Sequence, residues 1–281
     1  MIPQTSPQTD RPLGVVHVIG ANGRSGSALV QALLAAGTRV QPVVRNPAAW
    51  TMPAHPLLAP PRQADLTAEA AMRAALADAT KIVSTAHASH TSALLAAAPP
   101  AGRLVLLGST RRFTRWPDAH ARGVIAGEAA LLRSQRNGVM LHPTMIYGAA
   151  GENNVRRLAA LLRRLPLVPL PGGGRALVQP IHQSDVTRAI LAALAIEWSG
   201  PHTMVLAGPT ALPYAAFVRA VARAAGLAPP RIVAVPSAPL MAVAWLLAPL
   251  GLPVSAAEIR RLTEDKDFDI AAMSATLSAV S

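Results

Sequence analysis

A chain of 281 residues that is 51% hydrophobic carries apolar surface enough for one large or two small domains. It has no cysteine, which excludes disulfides and thiolate metal sites. The net charge of +12 rests almost wholly on arginine, since only Lys81 and Lys266 are lysines. Beside an alanine excess and 3% aromatics, it reads as codon bias rather than a nucleic-acid surface, which would also need stacking side chains.

Residues 1–12, MIPQTSPQTDRP, are polar and proline-rich and are expected to form a flexible arm. Residues 14–26 then read GVVHVIGANGRSG. Val15, Val16, Val18 and Ile19 make a short β-branched run, as a buried parallel strand requires. Gly20, Gly23 and Gly26 follow at even spacing, and SALVQALLAAG places Leu29, Leu33 and Leu34 at helical intervals before a terminal Gly37. Strand, glycine turn and helix start in one stretch predict a phosphate-binding βαβ unit. The glycines let the chain reverse, let backbone approach the phosphates and let helix pack on strand. The free N–H groups of the first helical turn would then hold the anion.

A second strand, TRVQPVV, is followed by Arg45. No acidic residue lies between Gly14 and Gln63, so nothing in the usual place would bind ribose hydroxyls. Arg24, within the turn, and Arg45 supply two guanidinium groups suited to a 2′-phosphate, which favours NADP(H) over NAD(H). HPLLAP is a candidate third strand, and TAEAAMRAALADA a helix with Thr67 as its N-cap. KIVSTA and RLVLLGST read as the fourth and fifth strands, with SALLAAA helical between them. A long helix is expected over 119–136, and VMLHPTMIYG as a sixth strand running into a loop. Strands alternating with helices predict an α/β Rossmann fold, a doubly wound parallel sheet that binds ligands at the carboxyl ends of its strands. Residues 13–150 would form this NAD(P)-binding domain. Residues 151–281 would form a smaller substrate or partner lobe, with 182–206 returning to the first domain.

Beyond residue 150, NNVRRLAALLRRLP is an amphipathic helix, and SDVTRAILAAL another, with Ser184 as its expected cap. The most apolar stretch, residues 238–254, is broken by Pro249 and Pro253 and is too short to span a bilayer. A buried or interfacial helix is expected, and peripheral membrane contact is the weaker alternative. No secretory signal is visible, so a cytoplasmic location is expected. The eight scattered histidines show no metal-ligand spacing.

The order and spacing of GANGRSG, Asp65–Leu66, RLVLLGST, HPTMIYG, PLPGGGRALVQPIHQSDV and EIRRLTEDKDFDI resemble a known family. The chain is similar to the extended and atypical short-chain dehydrogenase/reductases of the NAD(P)-dependent epimerase/dehydratase superfamily. It looks closest to the NmrA-like branch and to the accessory Rossmann subunit of respiratory complex I. The resemblance implies that Gly20, Asn22, Gly23, Ser25 and Gly26 bind pyrophosphate and that Arg24 and Arg45 meet the 2′-phosphate. Asp65 and Leu66 would flank adenine, Thr85 and Ala86 the nicotinamide ribose, and Pro143 the nicotinamide. Ser109 or Thr110 matches the hydroxyl that positions the substrate oxygen.

The chain departs from the family at its acid/base pair. There a tyrosine is followed four residues later by a lysine, whose charge lowers the phenol pKa. Counting back from Glu128, the tyrosine slot falls on His120 and the lysine slot on Val124. His120 could serve, since imidazole titrates near neutral pH. The alternative reading makes His120 an exposed residue at a helix start. Tyr147 is a weaker substitute, and His142 and His182 are expected to pack in core or rim. Arg111, Arg112, Arg115 and Arg175 could grip an anionic substrate or form a solvated face. The expected function is that of an oxidoreductase or epimerase-like enzyme acting on a small carbonyl or sugar-nucleotide substrate. The alternative is a non-catalytic dinucleotide-binding sensor or assembly subunit.

Overall fold

The computed structural model describes residues 13–149, 151, 154–165, 167–246 and 256–278. The expected arm at 1–12 and residues 247–254 of the apolar stretch lie outside these. The chain opens with β1 (Val15–Ile19), α1 (Arg24–Ala35), β2 (Arg39–Val44) and β3 (Arg62–Gln63). There follow α2 (Glu69–Ala75), β4 (Lys81–Ser84), α3 (Thr91–Ala97), β5 (Arg103–Leu107), α4 (Ala119–Ser134) and β6 (Gly138–Pro143). Next come β7 (Ile146–Tyr147), α5 (Asn154–Leu162), β8 (Leu167–Pro171), β9 (Leu177–Val178), β10 (Ile181–His182), α6 (Gln183–Ala195) and β11 (Pro201–Leu206). The chain ends through β12 (Leu212–Pro213), α7 (Tyr214–Ala224), β13 (Arg231–Val235), α8 (Ser237–Leu246), α9 (Ala256–Arg261) and α10 (Ala271–Ser278).

Seven strands form one sheet in the order β11-β6-β5-β4-β1-β2-β3, and every pairing in it is parallel. This is the expected doubly wound Rossmann sheet. The pleat sends alternate residues to opposite faces, so the strands feed two cores. Val16, Val18, Val83, Val105, Leu107, Val139 and Leu141 pack with Leu29 and Leu33 of α1 and Val186 and Ile190 of α6. Ile19, Ile82, Leu104, Leu106 and Met140 pack on the other face with Leu94, Val124 and Leu131 from α3 and α4. Helices on both faces leave β6 buried at every residue, which is why Val139, Met140 and Leu141 run apolar without alternation before the buried His142. A third cluster joins α5, β8 and α7 through Leu162, Leu170, Phe217 and Val218, and forms the core of the smaller lobe.

Three local expectations are corrected. HPLLAP contributes only a bridge between Leu58 and Val40, and the third strand is Arg62–Gln63, because that is the register in which the chain meets the end of β2. Ala68, not Thr67, caps α2: the Thr67 N–H and hydroxyl both donate to Asp65 Oδ1, at 2.8 and 2.7 Å, so Thr67 closes a turn. His182, not Ser184, caps α6, its Nδ1 accepting the Ser184 N–H at 3.2 Å. The described side chains of α8 up to residue 242 are exposed or half-buried, so this part of the apolar stretch is a surface helix and not a buried one. Among the described residues no helix is long and apolar enough to cross a membrane.

Candidate active site

The glycine turn is built by steric necessity. Gly20 has a φ of +77°, and a Cβ there would stand 2.8 Å from Thr85 Oγ1 and 3.2 Å from the Ala86 nitrogen. A Cβ on Gly26 would stand 2.2 Å from the Gly20 oxygen and 2.9 Å from Ala21 Cα, which lets α1 rest directly on the turn. The Gly23 N–H closes the turn onto the Gly20 oxygen at 2.8 Å. Thr85 ties β4 to it, its hydroxyl donating to the carbonyls of Ile19 and Gly20, each at 3.1 Å.

Helix α1 starts at Arg24 with no side-chain cap and no acidic residue in its first turn. Its leading N–H groups therefore carry the positive end of the helix dipole with no carboxylate to neutralise it. Bare donors above a cradle that a Cβ would fill fit a pyrophosphate, so the residues present suit a dinucleotide. Arg24 projects from this end, and Ser25 donates to Gln183 Oε1 at 2.9 Å, joining the turn to α6. Asn22 reaches the Asn46 carbonyl at 3.4 Å, and Arg45 stands exposed at the end of β2. Asp65 follows β3, its carboxyl held below the usual range by the Thr67 hydrogen bonds.

A cavity of about 900 Å³ opens beside the turn. It brings together Arg24, Ser25, Ser109, Thr110 and His120, which are scattered over nearly a hundred residues of sequence. Gly20, Gly23, Gly26, Arg45, Asp65, Leu66, Thr85, Ala86 and Pro143 are not among its wall residues. They lie along the adjoining carboxyl edge of the sheet. Ser109 caps the short turn Thr110–Phe113, its hydroxyl accepting the Arg111 N–H at 3.2 Å. Thr110 donates to the Pro143 carbonyl at 3.2 Å. His142 is buried and accepts the Ser109 N–H on Nδ1 at 3.2 Å. Burial pushes its pKa down to about 4, so it is a neutral prop for the Ser109 backbone.

His120 sits at the start of α4, exposed at the cavity wall. Its Nδ1 lies 3.0 Å from His87 Nε2. Partial desolvation at the cavity wall lowers the pKa of both imidazoles, reinforced by nearby positive charge, which favours the neutral pair at pH 7. Val124, in the lysine slot, is buried in the core and does not line the cavity. Tyr147 is exposed, packs edge-on against His182 and does not line the cavity.

The arginines divide by position. Arg111 and Arg115 line the cavity. Arg112 pairs instead with the buried Glu128 on α4, and Arg175 is exposed outside the cavity wall. Sequence reading missed the opposite wall, which α9 and the segment after it supply. Arg261 Nη1 reaches Asp118 Oδ2 at 3.1 Å, and Arg111 reaches the same oxygen at 3.4 Å. Glu264 accepts from the Thr114 hydroxyl and, at 2.7 Å, from the Arg115 N–H, and so pins the turn after β5. Lys266 is half-buried, donates to the Arg261 carbonyl at 2.7 Å and is held below its usual pKa by desolvation. Tyr214, Phe113 and Phe268 add aromatic surface. Pieces of EIRRLTEDKDFDI were visible as a motif, but nothing local in them reveals that they close a cavity over the turn after β5, 150 residues away.

Residues 20–133 match a family model described as NAD(P)H-binding. No curated protein sequence matches the chain significantly. Among solved structures, the chain is similar to an NADPH-dependent quinone oxidoreductase from Escherichia coli solved with NADPH, at 19% identity and a TM-score of 0.71, covering 94% of each chain. It is also similar to UDP-glucose 4-epimerase from Thermus thermophilus with NAD (19% identity, TM-score 0.61, 88% of this chain and 99% of that one). MoeE5 with UDP-glucuronic acid and NAD matches at 20% identity and a TM-score of 0.64, over 79% of this chain and 88% of that one. At such identities the likeness is one of fold. A parallel seven-stranded sheet, a glycine turn at its centre and the matched segment agree: the chain has a Rossmann fold, and its residues 20–133 carry the pattern of an NAD(P)H-binding domain.

Proposed function

We propose that the chain is an NADP(H)-preferring reductase of a small carbonyl or quinone-like substrate that bears negative charge. One observation carries the reading: the end of the glycine turn, the Ser109 hydroxyl and an imidazole line the same cavity. The coenzyme, when bound, supplies hydride. Residues 13–150, with 182–206, form the coenzyme-binding part, and the remainder faces the substrate. The backbone N–H groups of α1 hold the pyrophosphate, and Arg24 and Arg45 hold the 2′-phosphate. Asp65 and Leu66 flank the adenine, Thr85 and Ala86 the ribose, and Pro143 the nicotinamide.

Of Ser109 and Thr110, Ser109 keeps its hydroxyl proton for the substrate oxygen while Thr110 gives its own to the Pro143 carbonyl, and His120 delivers the proton as a neutral imidazole. Arg111 and Arg261, both half-committed to the single carboxylate of Asp118, retain donors for an anionic group on the substrate. Proteins of this fold include a quinone oxidoreductase and one solved with a bound nucleotide sugar, and aromatic and cationic walls suit both kinds of substrate. The burial of Val124 favours a second reading, a non-catalytic dinucleotide sensor, since no cation stands where the family's lysine acts.

Titration of NADPH and NADH by fluorescence, followed by turnover with a panel of quinones and acidic carbonyl compounds, tests both. The reductase reading expects tighter NADPH binding and turnover that falls in Ser109→Ala and His120→Ala. Binding without turnover of any panel member assigns the sensor. No binding of either nucleotide refutes both.

A further inference from the structure

The proposed function uses His120 alone, yet His120 is one of a pair. We infer that His87 is a positioning residue that locks His120 into one tautomer, with the proton on the nitrogen that serves the cavity. The inference rests on the reductase reading for its catalytic meaning but not for its geometry.

The hydrogen-bond directions follow from a single donor. The Ser89 backbone N–H donates to His87 Nδ1 at 3.1 Å. A backbone amide can only donate, so Nδ1 of His87 carries a lone pair and no proton. The neutral ring must then hold its proton on Nε2. That nitrogen faces His120 Nδ1 at 3.0 Å, so His120 accepts there and keeps its own proton on Nε2. Each ring leaves the next one choice. The Ser89 hydroxyl lies 2.7 Å from the same His87 Nδ1, and Ser89 is exposed.

The pair is seated by the fold. His87 follows β4 and caps the turn Ala88–His90, while His120 opens α4. Gly123, one turn into α4, makes room: a Cβ there would stand 2.8 Å from His87 Cε1 and 3.0 Å from Ser89 Cβ. The rings meet edge-on, 69° apart with centroids 4.2 Å apart. His90, Arg111, Asp118 and Arg261 are the charged or titratable groups around the pair, and partial desolvation with the neighbouring positive charge holds both rings below their usual pKa.

The proton balance closes without an extra reagent. As the substrate oxygen gains charge, the His120 Nε2–H bond breaks and an O–H bond forms. A proton from water in the open cavity re-forms the His120 Nε2–H bond, and the His87 Nε2–H···Nδ1 bond stays intact, so both rings end in the tautomer in which they began. The product leaves with one proton that water has replaced.

The test reads tautomers directly. The full chain, labelled with 15N-histidine at pH 8, is examined by long-range proton–nitrogen correlation, which separates Nδ1–H from Nε2–H rings. Wild type and His87→Gln, whose amide still donates, are expected to show His120 as Nε2–H. His87→Glu accepts instead and is expected to reverse His120 to Nδ1–H. His87→Leu and Gly123→Ala, which displaces the ring without altering either histidine, are expected to give a mixture. With a turned-over substrate, kcat should fall about tenfold in His87→Leu and Gly123→Ala and stay within about twofold in His87→Gln, with NADPH binding unchanged. An Nδ1–H His120 in wild type, or one that ignores His87→Glu, overturns the inference. Tautomers that follow expectation in a protein that reduces nothing overturn only the reductase reading.

Discussion

Alanine normally stabilises a helix relative to glycine by about 1 kcal/mol, and at Gly26 it should do the reverse. The added Cβ would stand 2.2 Å from the Gly20 carbonyl oxygen, a backbone atom fixed at the end of β1. Ordinary contact begins at 3.4 Å, so α1 must retreat by 3.4 − 2.2 = 1.2 Å. Overpacking of this kind costs about 1–3 kcal/mol, which outweighs the helical gain and lowers stability by up to about 2 kcal/mol. The same displacement carries the leading N–H groups of α1 away from a bound pyrophosphate. An N–H···O bond of ordinary length, about 2.9 Å, is lost when its partners move apart by about 1.2 Å. Losing one or two bonds to a charged acceptor is worth about 2–3 kcal/mol, a roughly 30- to 150-fold rise in the NADPH Kd. Urea unfolding gives the first quantity and calorimetric titration the second. A Gly26→Ala protein as stable as wild type, with unchanged NADPH affinity, would refute the steric account of the turn.

Arg24→Ala and Arg45→Ala are each expected to weaken NADPH about tenfold while leaving NADH within about twofold, so that calorimetry shows the nucleotide preference collapsing in the double variant. Arg112→Ala strands Glu128, whose side chain is 5% exposed, and should cost about 3–5 kcal/mol in urea unfolding. Arg115→Ala, 71% exposed, should stay within about 0.5 kcal/mol. His142 is neutral when folded, with its pKa lowered from 6.5 to about 4, so the unfolded chain binds the proton first. Its stabilising contribution is whole above pH 6.5, declines as pH falls toward 4 and is lost below, about 3 kcal/mol in all. His142→Asn should flatten that part of the stability–pH curve. An unchanged slope between pH 6.5 and 4 would show that other groups govern it.

The fold was legible because its signals are local and repeated. The run from Val15 to Ile19, the glycines behind it and the leucines of α1 each point to one geometry, and the later strands repeat the pattern. Caps were harder. Histidine stands outside the usual capping set, yet His87 and His182 each accept from the serine two residues on, a His-x-Ser pattern that sequence reading passed over in favour of Ser184. The third strand was misplaced because an edge strand of two residues has almost no composition of its own; its register with Val43 and Val44 decides it. In the candidate site, Ser109 and His120 were nameable from their spacing to recognisable motifs. The contact of His87 with His120 was not, since it arises only when the end of β4 and the start of α4 are brought together across 33 residues of chain. The wall made by Arg261, Glu264 and Lys266 was hidden for the same reason.

The seventh strand comes from far along the chain. β11 pairs with β6 along all six of its residues, after the polypeptide has left the sheet to build α5 and β8 and come back through α6. An amputated nucleotide half ending near residue 150 would therefore expose the flank of β6 and bare the face of α1 that α6 covers. Such a fragment invites edge-to-edge aggregation. The excursion is stitched to the sheet at both of its ends, so the smaller lobe cannot be traded away like a bead on a string.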